Sequence, residues 1–244
     1  RVLDIGSNDG TFLKFFSKNV DKIGCDPTAK KFRKYYSKTV KIFPKIFDNN
    51  SSKLIKGKFK LISCIAMFYD LPNPLNFIKL VENKLEKNGI FHVEIAYLPL
   101  IYKKFSFDTF CQEHLTYFSF NSFENLIKQT NLKILDFEQN SINGGSINFN
   151  LSLKDSSQKV NLKKLRNLRK FELNNNYNNL SFIKKFFNIV KKNIHIIRKN
   201  IKSLKGEVCG FGASTKGNVT LQLCDLNDKD IKKIYDINSQ KFGS

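Results

Sequence analysis

Residues 2–10 read Val-Leu-Asp-Ile-Gly-Ser-Asn-Asp-Gly, a short apolar run that passes directly into a glycine-rich turn. Apolar residues then recur at helical spacing over 11–16, so the stretch predicts a strand, a tight turn and a helix. Glycines at both ends of the turn allow backbone amides and the start of the helix to approach a polar ligand closely. The stretch therefore predicts the first unit of a parallel sheet with a ligand-binding turn.

The alternation of strand and helix continues along the chain. Further strands are predicted at 22–27, 39–43, 61–66 and 89–95, with helices over 28–38 and 74–87. Such alternation implies parallel pairing with right-handed crossovers, hence an α/β fold with a doubly wound, Rossmann-like sheet. After a capped helix start at 121–124, the apolar segments 132–137 and 146–153 fit an edge hairpin.

The remainder of the chain differs from this sheet in pattern. Lysine-rich segments with helical spacing fill 158–205, and three asparagines at 174–176 are expected to divide them into two helices. Strand patterns return at 207–212 and 232–236, the first running into another glycine turn. We therefore expect a cofactor-binding domain over 1–155, a helical linker over 156–205 and the start of a smaller α/β domain over 206–244.

Composition narrows the class of protein. The 244 residues carry 42 Lys and Arg against 21 Asp and Glu, a net charge of +21, and 41% are hydrophobic, which is typical of a globular chain. We expect a cytoplasmic protein without membrane association, because there is neither a long uncharged apolar run nor a signal-peptide pattern. Only 5 of the cations are Arg, which disfavours nucleic-acid binding and favours a smaller anion.

The cysteines and the two ends of the chain allow further predictions. Five cysteines without a C-x-x-C pair predict neither a metal site nor a disulfide framework. Cys25, Cys64 and Cys209 lie in apolar strand patterns and are expected to be buried. Because the chain opens directly on a strand pattern and stops just after another, we expect a fragment that lacks both ends.

The first glycine turn points to a nucleoside cofactor. Asp26 follows the second strand, 22 positions beyond Asp4, where an acid can bond ribose hydroxyls. The turn departs from the dinucleotide pattern G-x-G-x-x-G and instead resembles motif I of class I S-adenosylmethionine-dependent methyltransferases. The resemblance implies S-adenosyl-L-methionine as cofactor, held by Asp4, Gly6, Ser7, Asn8, Gly10, Asp26, Met67 and Phe68.

Titratable groups concentrate just after the fifth strand, where open α/β sheets bind ligands. His114 can take a proton near neutral pH, and the neighbouring Glu113 can hold its tautomer or stabilise the imidazolium. A structural role for His114 stays open on the residues alone. His92 lies in a strand and His195 in a basic helix, so neither is expected to be catalytic.

Residues 108–119 read Asp-Thr-Phe-Cys-Gln-Glu-His-Leu-Thr-Tyr-Phe-Ser and resemble the D-T-I/F-C/Y-H-E-H-L-x-Y-Y/F-S signature of sugar C-methyltransferases. Segments 65–71, 143–146, 210–218 and 236–243 resemble the same family in the same order. The resemblance implies a nucleotide-linked 4-keto-deoxysugar as substrate, methylated at C3, with His114 as base and Glu113 orienting it. Substrate contacts are then expected from Tyr69, Tyr117, Asn143, Gly144, Ser146, Ser214, Lys216 and Asn218.

The chain departs from this family at two positions and leaves other functions open. Gln112 replaces the first histidine of H-E-H, and Asn148 replaces an arginine that often follows the N-G-G-S turn. The family's N-terminal zinc-binding domain is expected outside this chain, so no metal is expected within it. Two alternatives remain: an N- or O-methyltransferase for another small molecule, and a non-catalytic RNA- or protein-binding module with a methyltransferase fold.

Overall fold

A computed structural model describes residues 1–177 and 179–243, without the side chains of Asn143 and Gln240. The chain divides into two compact units, one formed by 1–98 and 115–175, the other by 99–114 and 176–244. The strands are β1 Val2–Ile5, β2 Lys22–Cys25, β3 Val40–Phe43, β4 Phe59–Ile65, β5 Leu85–Ala96, β6 Leu132–Asn140, β7 Ser146–Leu153, β8 Cys209–Phe211 and β9 Lys233–Tyr235. The α-helices are α1 Asn49–Leu54, α2 Pro74–Glu82, α3 Leu98–Lys104, α4 Phe120–Lys128, α5 Leu162–Asn175, α6 Leu180–Ser203 and α7 Thr215–Leu223.

The first unit is built on a seven-stranded sheet in the order β3-β2-β1-β4-β5-β7-β6. The five strands β1 to β5 are parallel, and β6 and β7 form an antiparallel hairpin that joins through β7 to β5. The predicted α/β sheet is confirmed. Winding reverses direction between β1 and β4, so the turns that follow β1, β2 and β4 lie at one edge of the sheet, where such folds bind ligands.

Large aromatic side chains form much of the core of this unit. The Phe68 ring packs against Phe77, Phe118 and Phe123 at centroid distances of 5.5 to 5.9 Å. Phe123, on α4, stacks on Phe149 of β7 at 4.5 Å. Because successive residues of a strand point to opposite faces, these rings fix α4 against one face of the sheet.

Two predicted helices of the first unit are wrong. Only short 3-10 turns occur, at 12–15 and 33–35. The aromatic residues in both segments have low helix propensity, and a run of cations without acids over 30–34 repels itself. The helix predicted over 74–87 ends at Glu82, and α4 begins at Phe120, one residue before the capped start predicted at 121–124, with Ser119 forming its capping box.

The second unit combines helices with a two-stranded parallel sheet, β8 and β9. Tyr102 of α3 packs against Phe182 and Phe186 of α6 at 5.0 and 4.7 Å, and Phe110 packs on Phe186 at 5.9 Å. The predicted helix pair broken at 174–176 and the two late strands are confirmed. Cys25 and Cys64 are buried as expected, but the expectation for Cys209 is wrong: it is exposed, as is Phe211 two residues further along β8.

Candidate functional site

The turn after β1 depends on glycine at both ends. Gly6 and Gly10 have φ values of +76° and +75°, in the left-handed region, and the Gly10 amide donates to the Ser7 carbonyl at 2.7 Å. A Cβ on Gly6 would lie 2.7 Å from Cγ of Met67, and one on Gly10 would lie 2.5 Å from the Tyr36 ring. A side chain at either position would therefore displace its neighbour as well as strain the backbone.

Asp26 joins the end of β2 to this turn. The side chain is buried, and its Oδ2 accepts a hydrogen bond from the Asn8 amide at 3.0 Å. Its Oδ1 accepts from the amide of Thr28 at 2.7 Å and from the Thr28 hydroxyl. The predicted acid thus lies at the rim of the glycine turn and fixes its backbone.

Asp4 lies in β1 directly before the turn. Its side chain is 3% exposed, and the Ser63 hydroxyl donates to Oδ1 at 2.7 Å. Burial raises the pKa of Asp4 to about 7, with the Ser63 hydrogen bond lowering it and the charge of Asp26 raising it further. A cationic ligand group beside Asp4 would favour the ionised form, so this carboxyl is suited to an ammonium group.

Tyr36 supports the turn through hydrogen bonds, and the sequence analysis did not predict this role. Its hydroxyl donates to the Asn8 carbonyl at 2.7 Å and lies 2.7 Å from the Ser7 hydroxyl. Since Tyr36 has one proton to give, the Ser7 hydroxyl is the donor in the second bond. Burial raises the pKa of Tyr36 to about 12. The motif itself carries no signal for this tyrosine, which lies 26 residues beyond Gly10.

The segment after β4 contributes Met67 against Gly6 and Tyr69 against the chain at 115–116. The Tyr69 carbonyl accepts from the amides of Leu115 and Thr116, each at 3.0 Å. Phe68 is fully buried in the aromatic core, so only its backbone is available to a ligand.

The remaining predicted substrate contacts of the first unit lie on two separate stretches. Tyr117 is half-buried, and Gly144 has a φ of +91°. Ser146 is buried and donates its hydroxyl to the Ile142 carbonyl at 3.2 Å. The Asn143 side chain lies outside the described part of the chain.

His114 belongs to the second unit and is held by its own segment. Its amide donates to the Cys111 carbonyl at 3.2 Å, and its side chain is hydrogen-bonded to the Thr109 backbone. Burial lowers the pKa of His114 below its usual value, the Thr109 bond and the charge of Glu113 oppose this, and the charge of Lys216 lowers the pKa further. The neutral imidazole, which is the form that accepts a proton, is therefore favoured at neutral pH.

The immediate partner of His114 is the Thr109 backbone, which no side-chain motif could have indicated. The hydrogen bond raises the pKa of His114, as expected when an imidazole N–H donates to a carbonyl oxygen. Glu113 is exposed and acts on the imidazole through its charge. Its orienting role stays a prediction.

The glycine turn after β8 lies in the same unit. Its backbone is fixed by Asp236, whose Oδ2 accepts from the Ala213 amide at 2.8 Å and from the Lys241 ammonium at 3.2 Å. The Ser214 hydroxyl accepts from the Gly217 amide at 3.0 Å and caps α7. A cavity of about 560 Å³ opens here, lined by Gly210, Phe211, Gly212, Ala213, Ser214, Thr215, Gly217, Asn218, Thr220, Leu221, Ile231 and Ile234.

The second unit therefore brings together an acid–base candidate and an anion-binding candidate. The 3-10 turn 107–109 packs against α7, whose first turn carries Lys216. Lys216 is half-buried, whereas Ser214 and Asn218 are exposed. Within the described residues, no group of three or more His, Cys, Asp or Glu could hold a metal ion, and no helix is long and apolar enough to cross a membrane.

Comparison with known proteins identifies the family. A family model described as "Methyltransferase domain" matches residues 1–136, more than half of the chain. The chain belongs to this methyltransferase family. A second model, described as "C-methyltransferase C-terminal domain", matches residues 141–244.

Relatives and solved structures agree with this assignment. C-methyltransferase NovU of Streptomyces niveus is 26% identical over 99% of the chain, which spans 59% of NovU's length. A structure described as a pericyclic reaction enzyme gives a TM-score of 0.52 at 14% identity. The alignment covers 62% of the present chain and 42% of the chain of that enzyme. LepI in complex with SAH and a substrate analogue gives a TM-score of 0.50 at 13% identity and the same coverage. At such identity these structures support the Rossmann-like methyltransferase fold alone.

Proposed function

We propose that this chain is the catalytic part of an S-adenosyl-L-methionine-dependent C-methyltransferase that acts on a nucleotide-linked 4-keto-deoxysugar. The observation that carries the proposal is the similarity to C-methyltransferase NovU over 99% of the chain. The C-methyltransferase domain match over 141–244 supports the same reaction class. The methylated carbon is the one next to the keto group, C3 of the sugar.

The first unit fits S-adenosyl-L-methionine. Gly6 and Gly10 leave the backbone of the turn open to close approach by a ligand. The carboxyl of Asp26 lies at the rim of the turn, where it is proposed to accept hydrogen bonds from ribose hydroxyls. The buried Asp4 is suited to an ammonium group. Gly6, Asn8, Gly10 and the segment at Met67 complete the proposed cofactor site. When bound, the cofactor supplies an electrophilic methyl group.

His114 is the proposed base that makes the sugar carbon nucleophilic. A C–H next to a carbonyl is acidic enough to be removed by a positioned base when the developing enolate oxygen is stabilised. The imidazole is hydrogen-bonded to the Thr109 backbone, and its neutral form is the one that accepts a proton. Glu113 is proposed to favour the resulting imidazolium through its charge.

The remaining proposed contacts recognise the nucleotide sugar. The exposed Ser214 and Asn218, at the glycine turn beside α7, offer a hydroxyl and an amide to the diphosphate, and Lys216 offers a cation. Tyr69, Tyr117 and the turn at 143–146 are the proposed contacts to the sugar. The net charge of +21 favours capture of such an anionic substrate.

The proposal is tested by incubating the chain with S-adenosyl-L-methionine and a dTDP-4-keto-6-deoxysugar and locating the new methyl group by NMR. We expect a methyl group bonded to C3, and a loss of at least about 10²-fold in rate for His114→Gln. His195→Gln is the matched control, because His195 is an exposed residue of α6, and it should retain wild-type activity.

Two results would contradict the proposal. A methyl group on oxygen or nitrogen, with His114→Gln still active, would indicate an N- or O-methyltransferase. Binding of the cofactor without methylation of any keto sugar would favour the non-catalytic module.

A further inference from the structure

We propose that Lys216 belongs to the acid–base site of the second unit and stabilises the enolate oxygen that forms when His114 removes the sugar proton. This inference rests on the proposed function and gives Lys216 a catalytic role beyond that of a diphosphate contact. Lys216 and His114 lie 102 positions apart in the chain, so only the fold brings them to one place.

The first argument is the way the two segments pack. The His114 side chain is hydrogen-bonded to the backbone of Thr109, which ends the 3-10 turn 107–109. That turn packs against α7, and Lys216 is the second residue of α7. The packing of this turn against α7 therefore brings together the segments that carry His114 and Lys216.

The second argument is electrostatic. The charge of Glu113, from its own segment, raises the pKa of His114, and the charge of Lys216, from α7, lowers it. Water and salt screen charges, so a charge shifts the pKa of another group only when the two are close or when little water lies between them. The ammonium of Lys216 thus acts at the position where His114 handles a proton.

The third argument separates Lys216 from the other polar residues of its turn. Ser214, Thr215 and Asn218 are exposed, as expected for groups that meet a diphosphate from solvent, whereas Lys216 is half-buried. A cation in the first turn of a helix is also disfavoured by the helix dipole. Its position is therefore better explained by chemistry than by stabilisation of α7.

The proposed step balances as follows. The C3–H bond breaks, and its proton goes to the imidazole of His114. The electron pair of that bond forms the C3–C4 double bond, and the carbonyl π pair moves onto the oxygen. The ammonium of Lys216 stabilises the negative charge on that oxygen. This stabilisation is strongest where water is excluded.

Lys216→Met tests the proposal, with Lys216→Arg as the conservative variant and Lys192→Met, an exposed residue of α6, as the matched control. The rate is measured as exchange of C3–H for deuterium in D₂O at saturating dTDP-4-keto-6-deoxysugar without cofactor. We expect Lys216→Met to slow exchange at saturation on the order of 10²- to 10³-fold, beyond any loss of affinity for dTDP that comes from the missing diphosphate contact. Lys216→Arg should restore part of the rate, and Lys192→Met should not change it.

A second readout does not require turnover. Titration of the His114 imidazole by NMR, identified by the signal lost in His114→Gln, should show a higher pKa in Lys216→Met and an unchanged one in Lys192→Met. An unchanged His114 titration overturns the proposal, and so does weaker dTDP binding with normal exchange at saturation. If the wild type exchanges no proton, the proposed function fails and the enolate role with it, while a shifted titration would still establish that the two groups adjoin.

Discussion

At the scale of single residues, Asp4 places an acidic group in the centre of the first sheet. The carboxyl is 3% exposed and has Ser63 as hydrogen-bond donor, and its pKa of about 7 contrasts with the usual 3.8. The folded chain therefore holds a proton on Asp4 between about pH 4 and pH 7 that the unfolded chain has released. The contribution of Asp4 to the free energy of unfolding must then fall as pH rises through this window and level off above pH 7.

Asp4→Asn tests this dependence, because the amide oxygen still accepts from Ser63 but does not titrate. We expect the stability of Asp4→Asn relative to the wild type to increase between pH 4 and pH 7, by at most about 1.4 kcal/mol per pH unit. Urea unfolding of both proteins at several pH values measures the difference, in which other titrating groups cancel. Parallel stability curves would show that Asp4 ionises normally.

At the scale of elements, α5 is attached to the first unit by Glu172. This buried carboxylate accepts hydrogen bonds from the Tyr97 hydroxyl at 2.6 Å and from the amides of Phe120 and Asn121 at 2.6 and 2.9 Å. The two amides open α4, so Glu172 satisfies donors that the helix itself leaves without partners. One side chain thus connects α5, the start of α4 and the end of β5.

Glu172→Gln should weaken this connection. An amide offers one acceptor oxygen to three donors, and its NH₂ group faces donors as well, so we expect a loss of about 1–3 kcal/mol in the free energy of unfolding. Urea unfolding measures it, with the exposed Glu138→Gln as a control expected within about 0.5 kcal/mol of the wild type. Equal stability of the two variants would show that Glu172 is not a structural connection.

The elements differ in how well the sequence predicts them. β1, β2, β4 and the hairpin could be predicted because apolar runs bounded by glycine or polar turns are local signals. The helices predicted at 11–16 and 28–38 are wrong, because the aromatic residues and like charges in these segments oppose a helix in spite of their hydrophobic spacing. Tyr36 behind the glycine turn, Glu172 at α4 and the Thr109 backbone at His114 are tertiary partners, and their residue types carry no sequence signal.

At the scale of the whole molecule, the two units differ in how much they bury. All four residues of β1 are buried, and the strand lies between β2 and β4. In the second unit, β9 is exposed along its length and β8 along most of it, and the two strands form a sheet of their own. Regions with more buried contacts have a higher free energy of local opening, so we expect the two units to open independently and with different opening free energies.

Hydrogen exchange followed by mass spectrometry on the whole chain measures this difference. We expect the amides of β1 and β4 to exchange at least about tenfold more slowly than those of β8 and β9 after correction for intrinsic rates, a difference of about 1.4 kcal/mol in opening free energy. Addition of dTDP should slow exchange at the turn after β8 and leave β1 unchanged, because the proposed diphosphate contacts lie in the second unit alone. Equal protection of both sheets would mean that β8 and β9 are stabilised by more than their own hydrogen bonds, and protection of β1 by dTDP would move nucleotide binding to the first unit.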